Sequence, residues 1–234
     1  MIKHKIPKCE QCIIRQLNSL GELKKDELIR ISECKSSKYL KRGEVLFDEG
    51  TYINGVFCIK DGVCKVTKMS TNGRDQIVKL VKRGDLLGER SLISEEVTNL
   101  KATALNDMEV CFIPKEEIIR DLKSNTSFTM SVLKDMADTL KEADNIILGM
   151  AQKTAKQRLA ETLLFLKKSY GSNDTEKPIG IELSREEIGT IIGTATESAI
   201  RLLSLFNKEK LIHLKGKELF ILNSNKLQQI AEGF

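Results

Sequence analysis

Two side chains in the last quarter of the chain have the chemistry to read base pairs. Glu197 and Arg201 lie four residues apart, and on a helix this spacing projects both from one face. A carboxylate can accept a hydrogen bond from the N4 amine of cytosine, and a guanidinium can donate to O6 and N7 of guanine. The pair therefore suits a G·C base pair. The alternative is a surface ion pair, which contributes only a few tenths of a kcal/mol.

Six cysteines form a second group of reactive side chains. No apolar run approaches the ~18 residues that cross a bilayer, and the segment 1–7 lacks the apolar centre of a signal peptide. We therefore expect a cytoplasmic protein without membrane contact, whose cysteines are reduced thiols or metal ligands rather than disulfides. No catalytic constellation surrounds either of the two histidines, so we do not expect an enzyme.

Size and charge set broad limits. The 234 residues suffice for one or two domains, and a hydrophobic share of 41% provides sizeable cores. The net charge of +5 favours a polyanionic partner only weakly, since a few unpaired lysines anywhere would produce it.

The helices that must position the two base-reading side chains have recognisable start signals. Ser184 followed three residues later by Glu187 is a capping box, and Gly193 interrupts the apolar run that follows it. Thr194 and Glu197 repeat the capping pattern at the start of a second amphipathic helix. Capping and base contact therefore compete for Glu197. Two short helices with so small a turn between them must cross steeply.

A strand pair completes the pattern. Two strand-like runs within Leu211–Leu222 flank the turn Lys215-Gly216-Lys217. Together with the two helices they predict a winged helix-turn-helix, whose second helix enters the major groove of DNA. The sequence therefore predicts a DNA-binding protein.

Most of the N-terminal half is typical of a small antiparallel sheet domain. After a short amphipathic helix around Leu28, runs rich in Val, Ile and Phe alternate with glycine turns from Tyr39 to Pro114. Asn72-Gly73 is the strongest hairpin signal, because both positions tolerate positive φ. The pattern predicts a small barrel or sandwich.

A long helix with a narrow apolar stripe follows the strands. Its apolar side chains recur at spacings of three and four, the a/d pattern of a coiled coil: Leu133, Met136, Leu140, Ala143, Ile147 and Met150. A helix that packs on its own domain is the alternative. A seam this narrow favours a matching partner helix, so we expect a parallel homodimer.

Barrel, long helix and winged helix in this order resemble the CRP/FNR family of bacterial transcription regulators. The resemblance covers nearly the whole chain and is most specific at residues 84–89, 157–160 and 184–201, where Glu197 and Arg201 match the family's Glu-x-x-x-Arg. It implies a regulator without enzymatic activity, in which a barrel of the cyclic-nucleotide-binding type is the sensor. The implied partners are double-stranded DNA with a palindromic operator, a second copy of the chain, and RNA polymerase.

The expected fold class is α+β, in three parts. Residues 1–125 form a β-roll or jelly-roll sensor domain, residues 126–152 the coiled-coil dimerisation helix, and residues 153–234 the winged helix-turn-helix domain. The third part opens with a helix that buries Leu159, Leu163 and Leu166 and ends near the glycine cap Gly171. A loop over residues 171–178 leads from it to the helix-turn-helix.

The resemblance also assigns further contacts on DNA. Thr196 and Ile200 occupy the variable groove positions beside Glu197 and Arg201, and Ile200 could touch a thymine methyl group. Five residues correspond to phosphate contacts: Ser184, Arg185, Ser198, Lys215 and Lys217. Such contacts set register and salt dependence but not sequence preference.

The sensor departs from the members that bind cyclic AMP. Glu89 matches their ribose contact, but the Arg-Ser pair that clamps the cyclic phosphate has no arginine here. A phosphate without its guanidinium loses a bidentate, charge-assisted pair. Arg90 or Lys101 could substitute, yet cyclic AMP is not the expected ligand. The expected effector pocket comprises Gly88, Glu89, Arg90, Thr98 and Asn99.

The oxygen-sensing members of the family offer a second signal, read through an iron–sulfur cluster. Three of their four cluster cysteines have a match here: Cys9, Cys12 and Cys111. The fourth match falls at Asn18, a poor ligand for iron, whereas a four-thiolate cluster normally needs four cysteines. Three other cysteines could complete the set: Cys34, Cys58 and Cys64. For Cys58 and Cys64, which lie in strand-like runs, a buried structural thiol is the commoner explanation.

Other signals remain open. A thiol redox switch would use the same cysteines, and an unliganded barrel would serve as scaffold and as a surface for RNA polymerase. Haem is disfavoured because His4 and His213 are the only histidines, and His213 lies in the wing. From a different class, a small-molecule-binding module could use its winged helix for protein contacts. The charges of Arg201 and of the wing favour nucleic acid over that alternative.

Overall fold

The computed structural model describes residues 8–71, 73, 75–171 and 177–234. The segment 1–7 with His4, Asn72 of the expected hairpin, and residues 172–176 of the expected loop lie outside the described residues. The chain divides into two compact units. One contains the residues up to Lys68 together with Lys79–Lys141, and the other contains Met69–Val78 and Glu142–Phe234.

Two antiparallel four-stranded sheets dominate the N-terminal part, with the strand orders β1-β8-β3-β6 and β2-β7-β4-β5. The strands are β1 Ser36–Leu40, β2 Val45–Phe47, β3 Gly55–Asp61, β4 Val63–Met69, β5 Asp75–Lys82, β6 Leu86–Leu87, β7 Lys101–Ala104 and β8 Met108–Pro114. Glycine turns at positive φ join them where the sequence predicted, for example at Gly43 and Gly84. The region from Tyr39 to Pro114 is therefore the antiparallel sheet domain expected from its pattern.

The sheets bury two separate apolar clusters. One lies between the sheets and includes Ile59, Cys64 and Val110. The other includes Cys58 and Cys111 and lies on the opposite face of the β1-β8-β3-β6 sheet, under the helices. Because successive side chains of a strand alternate between faces, β8 contributes to both clusters.

Short helices cover this second cluster. Three 3-10 helices, Cys9–Gln11, Ile13–Leu17 and Ser19–Glu22, precede α1 (Lys25–Cys34). Helix α2 (Glu89–Ser94) and helix α3 (Lys115–Ser124) follow later in the chain. Helix α1 begins with acidic residues in its first turn and buries Leu28 and Ile31, as its amphipathic pattern predicted.

Helix α4, Thr126–Gln152, has the bounds predicted for the long helix. Its first turns bury Phe128 and Val132 in the helix-covered cluster. Beyond Val132 most of its side chains are exposed. Of the described helices, none is both long enough and apolar enough to cross a bilayer.

The C-terminal unit has the predicted order of helices and strands up to β10, and a further helix, α8, follows. It contains α5 (Ala155–Tyr170), α6 (Arg185–Ile191), α7 (Thr196–Lys208), strands β9 (Ile212–Lys215) and β10 (Glu218–Ile221), and α8 (Ser224–Glu232). Strands β9 and β10 pair antiparallel around Gly216, whose φ is +62°. The α+β class, the antiparallel sheets, the long helix and the winged helix-turn-helix are thus confirmed.

Glycine ends α5 for a reason other than the expected one. Gly171 has φ −83°, so it does not need the left-handed conformation. Its amide donates to the carbonyl of Lys167 at 2.8 Å, and a Cβ atom on Gly171 would lie 2.3 Å from that oxygen. The close approach, not a positive φ, excludes a side chain here.

Candidate DNA interface and sensor residues

The start of α7 differs from the predicted capping box. The N-cap is Ala195, which has no capping side chain, so the helix begins one residue later than Thr194 would require. Gly193, at φ +62°, turns the chain, and the amide of Thr194 bonds to the carbonyl of Gly189 at 2.9 Å. The prediction of a second capping box was wrong. Glu197 is therefore not engaged in capping this helix.

Glu197, Ile200 and Arg201 form an exposed group on the first turns of α7. Ile200 keeps 44% of its surface accessible and lies on the same exposed face. Within the described part of the chain, no ion pair joins Glu197 to Arg201. The surface ion pair considered for these residues is absent there, and both charged groups are available to a ligand. Thr196, the fourth predicted base contact, is partly buried beside them.

The predicted phosphate contacts lie on α6, α7 and the wing. The hydroxyl of Ser184 accepts the amide of Glu187 at 3.1 Å in the predicted capping box, which leaves its O–H able to donate elsewhere. Arg185 donates to the carbonyl of Gly216 at 3.1 Å and thereby ties the start of α6 to the wing turn. Ser198 is partly buried on α7.

Two lysines extend the positive charge of the wing. Lys215 is 77% exposed, with its ammonium 3.9 Å from Glu218, and Lys217 is also exposed. The ion pair between Lys215 and Glu218 is exposed and therefore weak, so it does not keep Lys215 from a polyanion. Lys217 is exposed beside it and can contact the same polyanion.

A residue that the sequence reasoning did not assign, Arg158 on α5, supports the turn of the helix-turn-helix. Its guanidinium donates to the carbonyls of Ile192 at 2.7 Å, Gly193 at 3.4 Å and Lys153 at 2.5 Å. These oxygens lie past the end of α6 and just before α5, where helical partners are lacking. The signal was present in the segment 157–160, one of the specific parts of the resemblance, but the sequence does not show which carbonyls a half-buried arginine on a helix reaches.

The five predicted effector-pocket residues do not all face one cavity. Arg90 and Asn99 are exposed and hydrogen-bonded to each other. Thr98 is buried, and its hydroxyl bonds both the amide and the carbonyl of Leu100 at 3.2 Å. Gly88, at φ +105°, is the N-cap of α2. The polar groups around the expected clamp are therefore already engaged with one another.

Glu89 differs from the other predicted pocket residues in its environment. It lines an apolar recess with Leu92, Phe128 and Val132. Burial raises the pKa of this carboxyl to about 7, against the effect of its own backbone hydrogen bond and of Lys79, which lower it.

Four cysteines line a second recess, which is partly open to solvent: Cys9, Cys12, Cys58 and Cys111. The structure thus brings together the three cysteines expected from the sequence and adds Cys58. Three basic side chains share the lining: Arg15, Lys35 and Lys60. The buried Nε of Arg15 has no hydrogen-bond partner among the described residues.

The thiols are not arranged around a single ion, since no set of three histidine, cysteine or acidic side chains among the described residues could hold one. Burial raises the pKa of the Cys58 thiol to about 12, and burial also raises the pKa of Cys111, where Ser37 and Lys35 act in the opposite direction. Both are therefore protonated at neutral pH unless a metal displaces the proton.

The apolar stripe of α4 is largely uncovered in the single chain. Leu133 is 52%, Leu140 64%, Ile147 67% and Met150 37% exposed, and Ala143 is also exposed. Met136 is partly buried and packs against the helix-covered cluster. In the described residues, α4 therefore does not bury this stripe against its own unit, which was the alternative considered.

Two family models match the chain. A cyclic nucleotide-binding domain matches residues 37–125, and a Crp-like helix-turn-helix domain matches residues 157–230. The first covers the paired sheets with α2 and α3, and the second covers α5 to α8.

Similar proteins span almost the whole chain. The anaerobic regulatory protein of Haemophilus influenzae is 30% identical over 228 residues, which cover 95% of this chain and 87% of that protein. The fumarate and nitrate reduction regulatory protein of Vibrio cholerae is 29% identical over 228 residues, 95% of this chain and 90% of that protein.

Solved structures share the fold. FixK2 from Bradyrhizobium japonicum superposes with a TM-score of 0.75 at 21% identity, over 83% of this chain and 96% of that one. A regulator from Eubacterium rectale gives a TM-score of 0.73 at 20% identity, over 92% of this chain and 97% of that one. With its paired sheets, long helix and winged helix-turn-helix, and with relatives that are transcription regulators rather than enzymes, the chain belongs to the CRP/FNR family of DNA-binding transcription regulators.

Proposed function

We propose that this regulator binds a palindromic operator as a homodimer and reads each half-site with Glu197 and Arg201. The observation that carries the proposal is that both charged side chains are exposed on one face of α7 without an ion pair between them. A carboxylate that accepts from cytosine N4 and a guanidinium that donates to guanine select a G·C pair. Ile200, exposed between them, offers an apolar contact to a thymine methyl group, and Thr196 borders the same surface.

Phosphate contacts would fix the register of this helix in the groove. Ser184 and Arg185 at the start of α6, Ser198 on α7, and the wing lysines Lys215 and Lys217 are the candidates. The bond from Arg185 to Gly216 supports this assignment, because it holds the wing turn next to the N-terminus of α6. These contacts would add salt-dependent affinity without sequence preference.

Dimerisation would use the exposed stripe of α4. Leu133, Leu140 and Ile147 are each more than half exposed in the single chain, which is costly in water unless a partner covers them. Their spacing suits a matching helix in parallel orientation. A twofold dimer would then meet half-sites about one helical turn, roughly 34 Å, apart.

The test of base reading is a titration of Arg201→Ala. The probe is a palindromic duplex that the wild-type protein selects from random sequence, together with a second duplex in which the critical G·C pair is A·T. Wild type should prefer the first duplex by about 1–3 kcal/mol, roughly a tenfold to hundredfold difference in Kd. Arg201→Ala should lose this preference, because no other group on α7 matches both guanine acceptors.

The matched control for that titration is Lys208→Ala, which removes an exposed positive charge from the last turn of the same helix. It should keep the preference for the G·C duplex even if its overall affinity falls. Equal discrimination by wild type and Arg201→Ala would show that Arg201 does not read a base.

We further propose that the sensor responds to oxygen or redox state through a cysteine-held iron–sulfur cluster. Two observations support this signal. Four thiols line one recess with three basic side chains, and two similar proteins are named for anaerobic regulation and for fumarate and nitrate reduction. Cyclic AMP is not supported, because Thr98 and Asn99 are engaged by Leu100 and Arg90.

The lining of the recess fits such a group. A cluster with four thiolates is anionic, and the unpartnered Nε of Arg15 is a donor that an anionic, sulfur-ligated group could accept from. Cys9, Cys12 and Cys111 would hold it, and its chemistry when bound is reversible loss or oxidation by oxygen. The absence of a single-ion site is consistent with thiols spread around a larger body.

Two further assignments follow from the proposed function. A transcription regulator works in the cytoplasm beside DNA, and it alters transcription by contact with RNA polymerase or by blocking its access.

A further inference from the structure

The three cysteines that could complete the cluster lie in different surroundings. Cys64 is fully buried in the cluster between the two sheets, away from the thiol-lined recess. Cys34 is exposed at the end of α1, where its thiol donates to the carbonyl of Ile31 at 3.5 Å. Cys58 lies in the helix-covered cluster and lines the recess. Of the three, Cys58 alone shares the recess lining with the expected ligands.

Cys58 is also held beside an expected ligand by the sheet register. It lies directly opposite Cys111 on the antiparallel strands β3 and β8. Side chains of directly opposed residues project from the same face, with Cβ atoms about 5 Å apart. The 3-10 helix Cys9–Gln11 and its C-cap Cys12 pack against the same apolar cluster. Two thiols therefore come from the strands, one each from β3 and β8, and two come from the N-terminal segment.

Asn18, which stands at the position of the fourth cluster cysteine, contacts Cys58. Its amide nitrogen donates to the carbonyl of Gly84 at 2.7 Å and to the sulfur of Cys58 at 3.6 Å. The residue that stands where the resemblance expects a ligand is thus in contact with the thiol that could replace it. An amide is a poor iron ligand, but an N–H donor to a ligating sulfur adjusts the reduction potential of a cluster.

We propose that Cys58 supplies the fourth thiolate of the cluster, with Cys9, Cys12 and Cys111, and that Asn18 is a hydrogen-bond donor to its sulfur. The inference rests on the proposed sensing function and names the ligand that the sequence left open. Binding is a ligand exchange without net redox change. A preassembled cluster arrives with exchangeable thiolate ligands, each cysteine sulfur forms a bond to iron, and its proton passes to the departing thiolate.

The experiment measures iron and sulfide in the full-length protein, purified without oxygen from iron-replete cells. Wild type should carry about four irons per protomer and the visible absorption of a four-thiolate cluster. Cys58→Ala should fall to less than half of that iron, as should Cys111→Ala. The matched control is Cys64→Ala, which removes an equally buried thiol from the other apolar cluster and should keep the wild-type content. Circular dichroism should show that all variants are folded.

A rescue variant separates ligation from structure. In the double variant Asn18→Cys, Cys58→Ala, a thiol returns next to the vacated position, and iron should return to near the wild-type content. If Cys58→Ala does not fold, Cys58→Ser with and without Asn18→Cys gives the same comparison.

The failures are distinguishable. Wild-type iron in Cys58→Ala, with none in Cys111→Ala, overturns the assignment of Cys58 and leaves the cluster. Loss of iron in Cys64→Ala equal to that in Cys58→Ala also overturns it. A wild-type protein free of iron overturns both the assignment and the cluster, while the DNA-binding function is tested separately by Arg201→Ala.

Discussion

Among the carboxyl groups of the described residues, Glu89 has a pKa that its surroundings raise far above the ordinary value. It lines an apolar recess with Leu92 and Phe128, and burial raises its pKa to about 7. The charges of Asp135 and Asp85 add to this effect. Glu89 is the first residue of α2. A change in its protonation near neutral pH therefore adds or removes a negative charge at the N-terminus of this helix.

The consequence for stability is a falling free energy of unfolding with rising pH. The pKa of Glu89 in the folded chain, about 7, exceeds the ordinary value of 4.5. Between these values the folded state binds more protons than the unfolded state, so stability decreases as pH rises and levels off above about 7. Glu89→Gln removes this loss and should be more stable than wild type at pH 8 by on the order of 3 kcal/mol. Urea unfolding over a pH series measures the difference.

Below about pH 4.5, Glu89→Gln and wild type should have similar stability, because the carboxyl is protonated in both states. Glu96→Gln, an exposed glutamate nearby, is the control and should follow wild type at every pH. A constant difference between Glu89→Gln and wild type across the series would contradict the assignment.

Residue-level expectations from the sequence succeeded where spacing alone decides exposure. Glu197 and Arg201 are exposed on one face of α7, as a four-residue spacing on an amphipathic helix requires. The capping box at Thr194 failed because the sequence does not show where the turn at Gly193 ends. The choice between Cys58 and Cys64 was open because both strands are buried on both faces, and only the packed helices distinguish those faces.

Among elements, the helix-turn-helix depends on a side chain from the preceding helix. Arg158 of α5 donates to the carbonyls of Ile192 and Gly193, which directly follow α6 in the turn, and also to that of Lys153. A Cβ on Gly189 would lie 3.2 Å from the carbonyl oxygen of Thr194, which is tighter than an ordinary contact, so glycine suits this close approach of the turn to α6. The angle at which α7 is presented therefore rests on contacts made outside α7.

Arg158→Ala should destabilise the C-terminal unit by about 2–3 kcal/mol, because three carbonyls lose a charged donor. DNA affinity should fall while the preference for the G·C duplex remains, since no base contact is removed. Thermal unfolding and the two-duplex titration measure the two effects. Lys168→Ala, an exposed basic residue on the same helix, should change neither. Loss of preference without loss of stability would instead indicate that Arg158 contacts the base pair.

Element prediction was strongest for long periodic segments and weakest for short ones. Helix α4 has its predicted bounds, whereas α8 was not predicted, although Leu227 and Ile230 give it a buried face. Nine residues carry too few turns for a clear period, and α8 is held mainly by packing on α5. The 3-10 helices before α1 were missed for the same reason.

At the scale of the whole molecule, the order of modules could be read from the sequence, and the narrow stripe of α4 predicts a matching partner helix. Periodicity shows a narrow apolar stripe, and the structure leaves Leu140 and Ile147 exposed in the single chain. Family models and relatives cover the same modules in the same order.

Leu140→Asp should convert the dimer to a monomer, because a charge would be buried in the seam. Light scattering should report a mass near 26.3 kDa in place of twice that value. Binding to the palindromic duplex should weaken as the two half-sites are no longer engaged together.

Leu148→Asp is the control for the seam. It introduces the same charge at an exposed leucine of α4 that lies about 110° around the helix from the centre of the stripe. Its mass should remain that of the dimer. An unchanged mass for Leu140→Asp would contradict a seam along this stripe.

The apolar cluster beneath the helices contains Cys58 and Cys111 together with Phe128 and Val132 from the first turns of α4. Closely packed protein interiors adopt discrete arrangements of side chains rather than deforming continuously. A change in the covalent state of a sulfur must therefore be accommodated by neighbours that also anchor the longest helix of the protein. Chemistry at the thiols and the alignment of two α4 helices would then be coupled by direct side-chain packing, without a hinge or a moving loop.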